Sequence, residues 1–124
     1  MIDAALAARE RAYAPYSGFR MGAATLTEHG SIVTGALVEN VSLGLAMCAE
    51  RVALFATVAS GDRPTALVVA SPRTSRALTF PCGACLQVGL ELGGRGLVIV
   101  AVDPQGTSER AVLSELLPRG PHKA

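Results

Sequence analysis

Charge of either sign is scarce in this 124-residue chain. Charged residues make up 17% of the sequence, the formal net charge is +1, and the lysines and arginines form no run or stripe. Proteins that hold polymeric nucleic acid or an anionic membrane surface usually concentrate positive charge on one face. We therefore expect neither a nucleic-acid polymer nor a membrane among the partners.

Long apolar segments are also missing. No stretch approaches the roughly 20 apolar residues that a membrane span needs, and residues 1–19 show no basic leader followed by an unbroken apolar run. We expect a cytoplasmic protein. Half of the residues are nevertheless apolar, and 124 residues suit one core, which predicts a single domain over 1–124 that hides further apolar surface in an oligomer.

Periodicity and turn residues predict a mixed α/β chain. Apolar spacing and the positions of glycine and proline predict helices at 2–13, 47–59 and from 81 or 82 to 92, and strands at 19–26, 31–36, 65–70 and 97–102. A turn at 103–106 precedes a short strand and a terminal helix before Pro118, and 119–124 form a polar tail. This order predicts a mixed sheet sandwiched between helices.

The three cysteines fall at or beside two predicted helix starts. Cys82 and Cys85 are three residues apart and share a helix face, while Cys48 stands at the other helix start. Thiols at this spacing are typical zinc ligands. Neither histidine is expected to be a fourth ligand, because His29 lies in a turn and His122 in the tail, both far along the chain from the cysteines. Three ligands leave the fourth position of tetrahedral zinc open for water, as in catalytic sites. Buried apolar cysteines and a thiol redox pair are the alternatives.

Glu50 and Arg51 follow the first of these cysteines. A carboxylate beside an open zinc position moves protons between water and substrate, although a glutamate in a first helical turn also simply stabilises the helix dipole. Arg51 can donate hydrogen bonds to ligand sulfur or form a surface salt bridge. The segment C-A-E at 48–50 together with P-C-x-x-C at 81–85 matches the zinc deaminase signature with Cys in place of His.

The chain resembles the small homotetrameric cytidine deaminases, a group that includes blasticidin S deaminase-like proteins. The likeness covers nearly the whole sequence and is carried by AYAPYSGFRMGAA, VENVSLGLAMCAERVAL, PCGACLQV and ELLP. It implies a three-layer α-β-α sandwich with a five-stranded mixed sheet. It also implies Zn2+ as cofactor, a homotetramer whose subunits complete each other's active sites, and hydrolysis of cytidine or deoxycytidine to the uridine.

The same resemblance implies roles for single residues. Cys48, Cys82 and Cys85 correspond to the metal ligands, Glu50 to the proton shuttle, and Arg51 to the arginine that bonds ligand sulfur. Substrate contacts are implied for the Phe19 ring, for the carboxylate of Glu39 on a ribose hydroxyl, and for the main-chain amide of Ala49 on the base. Without the resemblance, Phe19 would be interpreted as hairpin core and Glu39 as a solvated charge.

Departures from the family pattern concentrate on the sugar side of the expected pocket. Leu37 stands where the family has a sugar-binding asparagine, and Leu43 where it has a tyrosine. Phe80 replaces a small polar residue, Leu86 replaces an arginine, and no aromatic residue follows Pro118. These departures leave open a deaminase of another aminated heterocycle, such as a blasticidin S-like nucleoside or a free base. A non-catalytic zinc-binding module is a further alternative.

Overall fold

Five strands form one mixed sheet in the computed structural model, which describes residues 1–123. The strands are β1 (Gly22–Thr27), β2 (Ile32–Ala36), β3 (Pro64–Ala70), β4 (Val98–Val102) and β5 (Ser108–Val112). Their order across the sheet is β2-β1-β3-β4-β5. Only the central pair β3 and β4 is parallel, and the other three pairs are antiparallel.

Helices cover both faces of this sheet. They are α1 (Ile2–Arg9), α2 (Ala49–Ala59), α3 (Gly83–Gly93) and the short α4 (Leu113–Leu116), with a 3-10 turn at Leu43–Leu45. Neighbouring residues of β1 show the two-sided burial, because side chains alternate along a strand. Ala23 packs into a core shared with α2, α3 and α4, whereas Ala24 packs into a second core with α1. The three-layer α/β sandwich with a five-stranded mixed sheet is confirmed.

Several predicted boundaries are wrong by one to four residues, and the second helix begins at Ala49 instead of residue 47. The first helix ends at Arg9 instead of Tyr13, because the Tyr13 main chain leaves the helix to donate to Leu37 O and accept from Glu39 N, both at 2.8 Å. The first strand begins at Gly22 instead of Phe19. The third helix begins at Gly83, with Cys82 as its N-cap.

The predicted polar tail packs onto α3 as far as the structure describes it. Gly120 is buried, and the Gln87 side-chain amide donates to Pro121 O at 2.9 Å. The last tail residue, Ala124, lies outside the described residues. Among residues 1–123 there is no helix with the length and apolar character to cross a membrane.

Gly35 in β2 sets how closely the sheet approaches α2. A Cβ at this position would lie 2.5 Å from Ala53 N and 2.6 Å from Ala49 O, which are main-chain atoms that cannot rotate away. Only glycine permits this contact. Since Ala49 directly follows Cys48, the same contact locates the start of the helix that carries a candidate metal ligand.

Gly35→Ala is expected to lower the free energy of unfolding by about 1–3 kcal/mol, the usual cost of overpacking. Urea unfolding followed by circular dichroism measures it. Gly96→Ala is the matched control, because a Cβ there meets nothing within 4 Å, and it should change stability by less than about 0.5 kcal/mol. Equal stability of the two variants would show that α2 can move away from β2 without penalty.

Candidate metal centre and active site

The N-termini of α2 and α3 meet on one face of the sheet and bring the three cysteines together. Cys48 and Cys82 are the N-cap residues of the two helices, both with extended backbone, and Cys85 lies in the first turn of α3. The free amides of a helix N-terminus favour negative charge nearby. Negative charge placed at either helix end is therefore stabilised by main-chain amides.

The sulfur atoms fit one tetrahedral metal ion. All three Sγ atoms lie within 4.8 Å of one another, and Cys82 Sγ and Cys85 Sγ are 3.5 Å apart. Tetrahedral zinc with bonds of ~2.3 Å needs sulfurs about 3.8 Å apart. In the described chain no histidine or carboxylate joins this group, and His29 instead contacts Asp62 through Nδ1 at 3.0 Å. Three donors leave one coordination position for a small molecule.

Hydrogen bonds among the three cysteines favour the thiolate form of Cys48. The hydrogen bond with Cys85, together with Arg51, lowers the pKa of Cys48 to about 5 against the opposing effect of burial. The same interaction with Cys48, reinforced by burial, raises the pKa of Cys85. Cys85 is buried, Cys48 is half-buried and Cys82 is exposed, so the centre opens to solvent on the Cys82 side.

Glu50 is buried beside the thiols without a partner for one carboxyl oxygen. Its side chain is 1% exposed, and Oε1 forms no hydrogen bond with any described residue. Burial raises the pKa of Glu50 to about 7, and charge on Cys48 acts in the same direction. Buried polar atoms normally have a partner in protein, water or ligand. A role limited to the helix dipole would not require this burial.

Arg51 points at sulfur and not at a carboxylate. Its Nη2 donates to Cys48 Sγ at 3.5 Å, and its buried Nε has no partner within residues 1–123. The two ion pairs found in that range join His29 to Asp62 and Arg73 to Asp103. Of the two interpretations of Arg51, the geometry favours the hydrogen bond to ligand sulfur over the surface salt bridge.

A cavity of about 330 Å³ lies beside the segment that precedes α2. Its lining includes Leu37, Glu39, Leu43 and Ala46, together with the turn residues Tyr16 and Ser17. Ala46 is two residues before Cys48, and Val38 pairs with Met47 through two main-chain hydrogen bonds of 2.9 and 3.1 Å. The cavity wall is thereby connected rigidly to the start of α2.

Glu39 is held by the turn that follows α1. Its Oε1 accepts from Tyr16 N at 3.0 Å and Ser17 N at 3.3 Å, and its Oε2 accepts from the Ser17 hydroxyl. These bonds, the Ser17 hydroxyl foremost, lower the pKa of Glu39. The Ser17 hydroxyl also accepts from Phe19 N at 3.0 Å, so the main chain of half-buried Phe19 is connected to Glu39. Glu39 is therefore an oriented carboxylate and not a freely solvated charge.

Two of the departures have a packing explanation. Leu86 is 6% exposed and belongs to the core between the sheet and α3, and Phe80 packs against the same core. Leu43 differs, because it is 86% exposed. Leu37 lies half-buried in the cavity wall.

Sequence reasoning missed the anchor of the loop that leads into Cys82. Asp103 is 2% exposed; its Oδ1 accepts from Gln105 N and Thr107 N, and its Oδ2 accepts from Arg73 Nε at 2.9 Å. The D-P-Q-G pattern predicts the turn at 103–106, but nothing local in the sequence indicates that Arg73 is its partner.

Comparison with known proteins places the chain in a family. Residues 1–101 match the model of the cytidine and deoxycytidylate deaminase zinc-binding region. A cytidine deaminase of Halalkalibacterium halodurans is 43% identical over 95% of this chain and 89% of its own length. A probable cytidine deaminase of Dictyostelium discoideum is 45% identical over 94% of this chain and 78% of its own. The crystal structure of a Burkholderia pseudomallei cytidine deaminase shares 46% identity with a TM-score of 0.89, covering 96% and 94% of the two chains.

This chain belongs to the cytidine deaminase family, a family of zinc hydrolases that act on C–N bonds. The resemblance found in the sequence is confirmed. The zinc expected as cofactor agrees with both the family model and the clustered thiols.

The purified protein is expected to contain one zinc ion per chain by elemental analysis. Cys85→Ser should lose the metal on dialysis against a chelator, because two thiols remain where three converge. His29→Ala is the control and should keep one zinc, since His29 pairs with Asp62. Loss of zinc from the His29 variant would place the metal elsewhere.

Asp103→Asn is expected to lower the melting temperature at neutral pH, because it breaks the bond to Arg73. Burial opposes ionisation of Asp103, but hydrogen bonds from Arg73, Thr107 and Gln105 hold its pKa below the usual range. A carboxyl group whose pKa is lowered on folding stabilises the fold at pH values above its pKa in the unfolded state, about 3.9. That stabilisation is lost as the pH falls through the pKa of the group in the folded state.

The melting temperatures of the wild type and of Asp103→Asn should therefore converge below pH 4. Both are measured on metal-free, reduced protein, so that zinc release does not contribute. A difference that stays constant down to pH 3 would contradict this account.

Proposed function

We propose that this protein hydrolyses the exocyclic amine of cytidine or deoxycytidine, releasing ammonia and the corresponding uridine nucleoside. The observation that carries the proposal is the buried, unpaired carboxyl oxygen of Glu50 next to three converging thiols. A purely structural zinc site is closed by four ligands and needs no free carboxyl. The relatives named cytidine deaminase match along nearly the full chain and supply the substrate class.

Cys48, Cys82 and Cys85 are the proposed zinc ligands. Zinc held by three protein ligands supplies Lewis acidity that makes water a nucleophile near neutral pH. Three thiolates carry more negative charge than the ion carries positive charge. Arg51 offsets that excess through its hydrogen bond to Cys48 Sγ and weakens the electron donation of the sulfur.

Glu50 is the proposed proton carrier. It takes a proton from the attacking water and passes it to the ring nitrogen next to the amine-bearing carbon. It then passes a second proton from the added hydroxyl to the leaving amine, so that oxygen replaces nitrogen on that carbon. A pKa of about 7 lets one carboxyl both accept and donate near neutral pH. Burial at 1% exposure also keeps bulk water from competing for these protons.

The base and the sugar would be held by the flanking elements. Ala49 is the first residue of α2, and its amide is one of those that no carbonyl within the helix can accept, so it is free to bind the base. Glu39 would accept from a sugar hydroxyl, and Phe19, which is connected to Glu39 through Ser17, would pack on the nucleoside.

A homotetramer is the proposed assembly. The loop after Glu39 exposes three large apolar side chains, namely Val41 at 80%, Leu43 at 86% and Leu45 at 69%. An apolar groove of about 350 Å³ lies between α2 and α3 and includes Phe55, Val58 and Leu92. Exposed apolar patches of this kind usually mark interfaces.

A different aminated heterocycle is the second candidate substrate, as in blasticidin S-like nucleosides or free bases. Leu37 favours it, because an apolar side chain occupies the wall of the cavity beside Glu39. The zinc ligands and Glu50 would serve this reaction unchanged.

Glu50→Gln is expected to keep one zinc ion and to lower kcat on cytidine by at least about 10²–10⁴-fold, since the amide cannot carry a proton. Loss of ultraviolet absorbance on cytidine and deoxycytidine measures turnover, and elemental analysis measures zinc.

Glu109→Gln is the matched control, because Glu109 is exposed on the edge strand β5 and lines neither the cavity beside Glu39 nor the groove between α2 and α3. It should retain wild-type kcat. Full activity of the Glu50 variant would refute the proposed proton carrier, and inactivity of zinc-loaded wild type on both nucleosides would refute the substrate.

A further inference from the structure

The exposed start of α3 carries two of the three cysteines. Cys82 is exposed and Cys85 is buried, and their sulfur atoms are 3.5 Å apart. Gly83 follows Cys82, and even a Cβ at that position would meet nothing within 4 Å. A small oxidant in solution can therefore reach the sulfur of Cys82, and the sulfur of Cys85 already contacts it from the protein side.

The third cysteine belongs to a different helix. Cys48 is half-buried, and the Arg51 guanidinium donates to its sulfur at 3.5 Å. Gly35 in β2 contacts the main chain of α2 directly, which fixes the position of that helix. A bond from Cys48 to α3 would have to draw two separately held helices together. A bond between Cys82 and Cys85 joins the N-cap and the first turn of one helix and requires no movement of α2.

We propose that hydrogen peroxide joins Cys82 and Cys85 in a reversible disulfide, and that this oxidation controls whether the chain can hold zinc. The inference rests on the zinc ligands of the proposed function and adds a regulation of that site. Zinc is bound by thiolate, and a disulfide sulfur is no longer a thiolate. After oxidation Cys48 is the one donor left of three, and a single thiolate does not retain the ion.

The oxidation consumes one peroxide for each disulfide. Cys82 Sγ attacks one oxygen of the peroxide, the O–O bond breaks, and Cys82 becomes a sulfenic acid while water leaves. Cys85 Sγ then attacks the sulfenic sulfur, the S–O bond breaks, and that oxygen leaves as a second water. Two electrons and two protons pass from the two thiols to the peroxide. A dithiol such as dithiothreitol reverses the change by thiol–disulfide exchange.

The test treats zinc-loaded full-length protein with hydrogen peroxide beside a chromogenic zinc chelator, with the same mixture lacking peroxide as the blank. One zinc ion is expected to be released for every two thiols lost. Dithiothreitol with added zinc should restore both thiols and metal. No loss of thiol, zinc that stays bound while thiol is lost, or thiol that dithiothreitol cannot recover would each overturn the proposal.

Trypsin separates the cysteines so that the bond can be located. Cys48 lies on the peptide 21–51, and Cys82 and Cys85 both lie on the peptide 77–95. After free thiols are alkylated, peptide 77–95 of the oxidised protein is expected to carry no alkyl group and to be lighter by two hydrogen atoms. Peptide 21–51 should be alkylated. A disulfide between the two peptides, or between two copies of 77–95, would contradict the assigned pair.

Cys48→Ser and Cys82→Ser are the matched variants, compared with wild type without metal so that weaker zinc binding does not affect the result. Cys48→Ser should form the internal bond of peptide 77–95 within about twofold of the wild-type rate, because both partners remain. Cys82→Ser should lose its two remaining thiols at least about tenfold more slowly, because they are buried or half-buried. Equal rates in the two variants would contradict the role of Cys82.

Neither the release of zinc nor the mass of a peptide depends on a nucleoside. Disulfide formation with loss of zinc, in a wild type that does not deaminate cytidine, would support the redox inference and contradict the proposed function. Deamination by a wild type that forms no disulfide would support the proposed function and contradict the redox inference.

Discussion

Convergence of two helix N-termini is the constraint on which the rest of this structure depends. Cys48 and Cys82 begin helices that follow different parts of the chain, and three sulfur atoms come within 4.8 Å only if both helices start at the same place. Gly35 lets β2 contact the first turn of α2 directly. On the other side, Asp103 and Arg73 fasten the loop that leads to Cys82. The metal centre is thereby located by the sheet and not by the thiols themselves.

The electrostatics of the centre follow from that placement. The hydrogen bond with Cys85 and the charge of Arg51 favour anionic Cys48, while burial next to the same sulfur disfavours anionic Glu50. The pKa values of a thiol and a carboxyl are thus shifted in opposite directions within one small volume. Groups divided in this way suit different tasks, and in the proposed mechanism the sulfur donates to the metal while the carboxyl carries protons.

Most helices and strands and the cysteine cluster could be predicted from the sequence. The features that were missed share one cause, because each depends on a contact between residues far apart in the chain. The two helix starts, the cysteine spacing and the valine-rich strands are local patterns, so α2, α3, β3 and β4 were predicted to within a few residues. The early end of α1 was missed because Tyr13 leaves the helix to pair with residues 37–39, a contact made across more than twenty residues of chain. The bonds between Glu39 and the 16–17 turn and between Asp103 and Arg73 were missed for the same reason.

Leu37, a departure from the family pattern, lies in the wall of the cavity beside Glu39 and not among the three thiols. The thiols, Glu50 and Arg51 all lie at helix starts fixed by core packing, where a change of volume is felt throughout the fold. Leu37 lies on an extended segment held through main-chain atoms, which any side chain would leave in place. Leucine at this position therefore leaves the geometry of the metal centre intact and alters only what the cavity wall presents to a ligand. The chemistry of the cavity wall can change through one side chain because the backbone that carries it is held by main-chain hydrogen bonds.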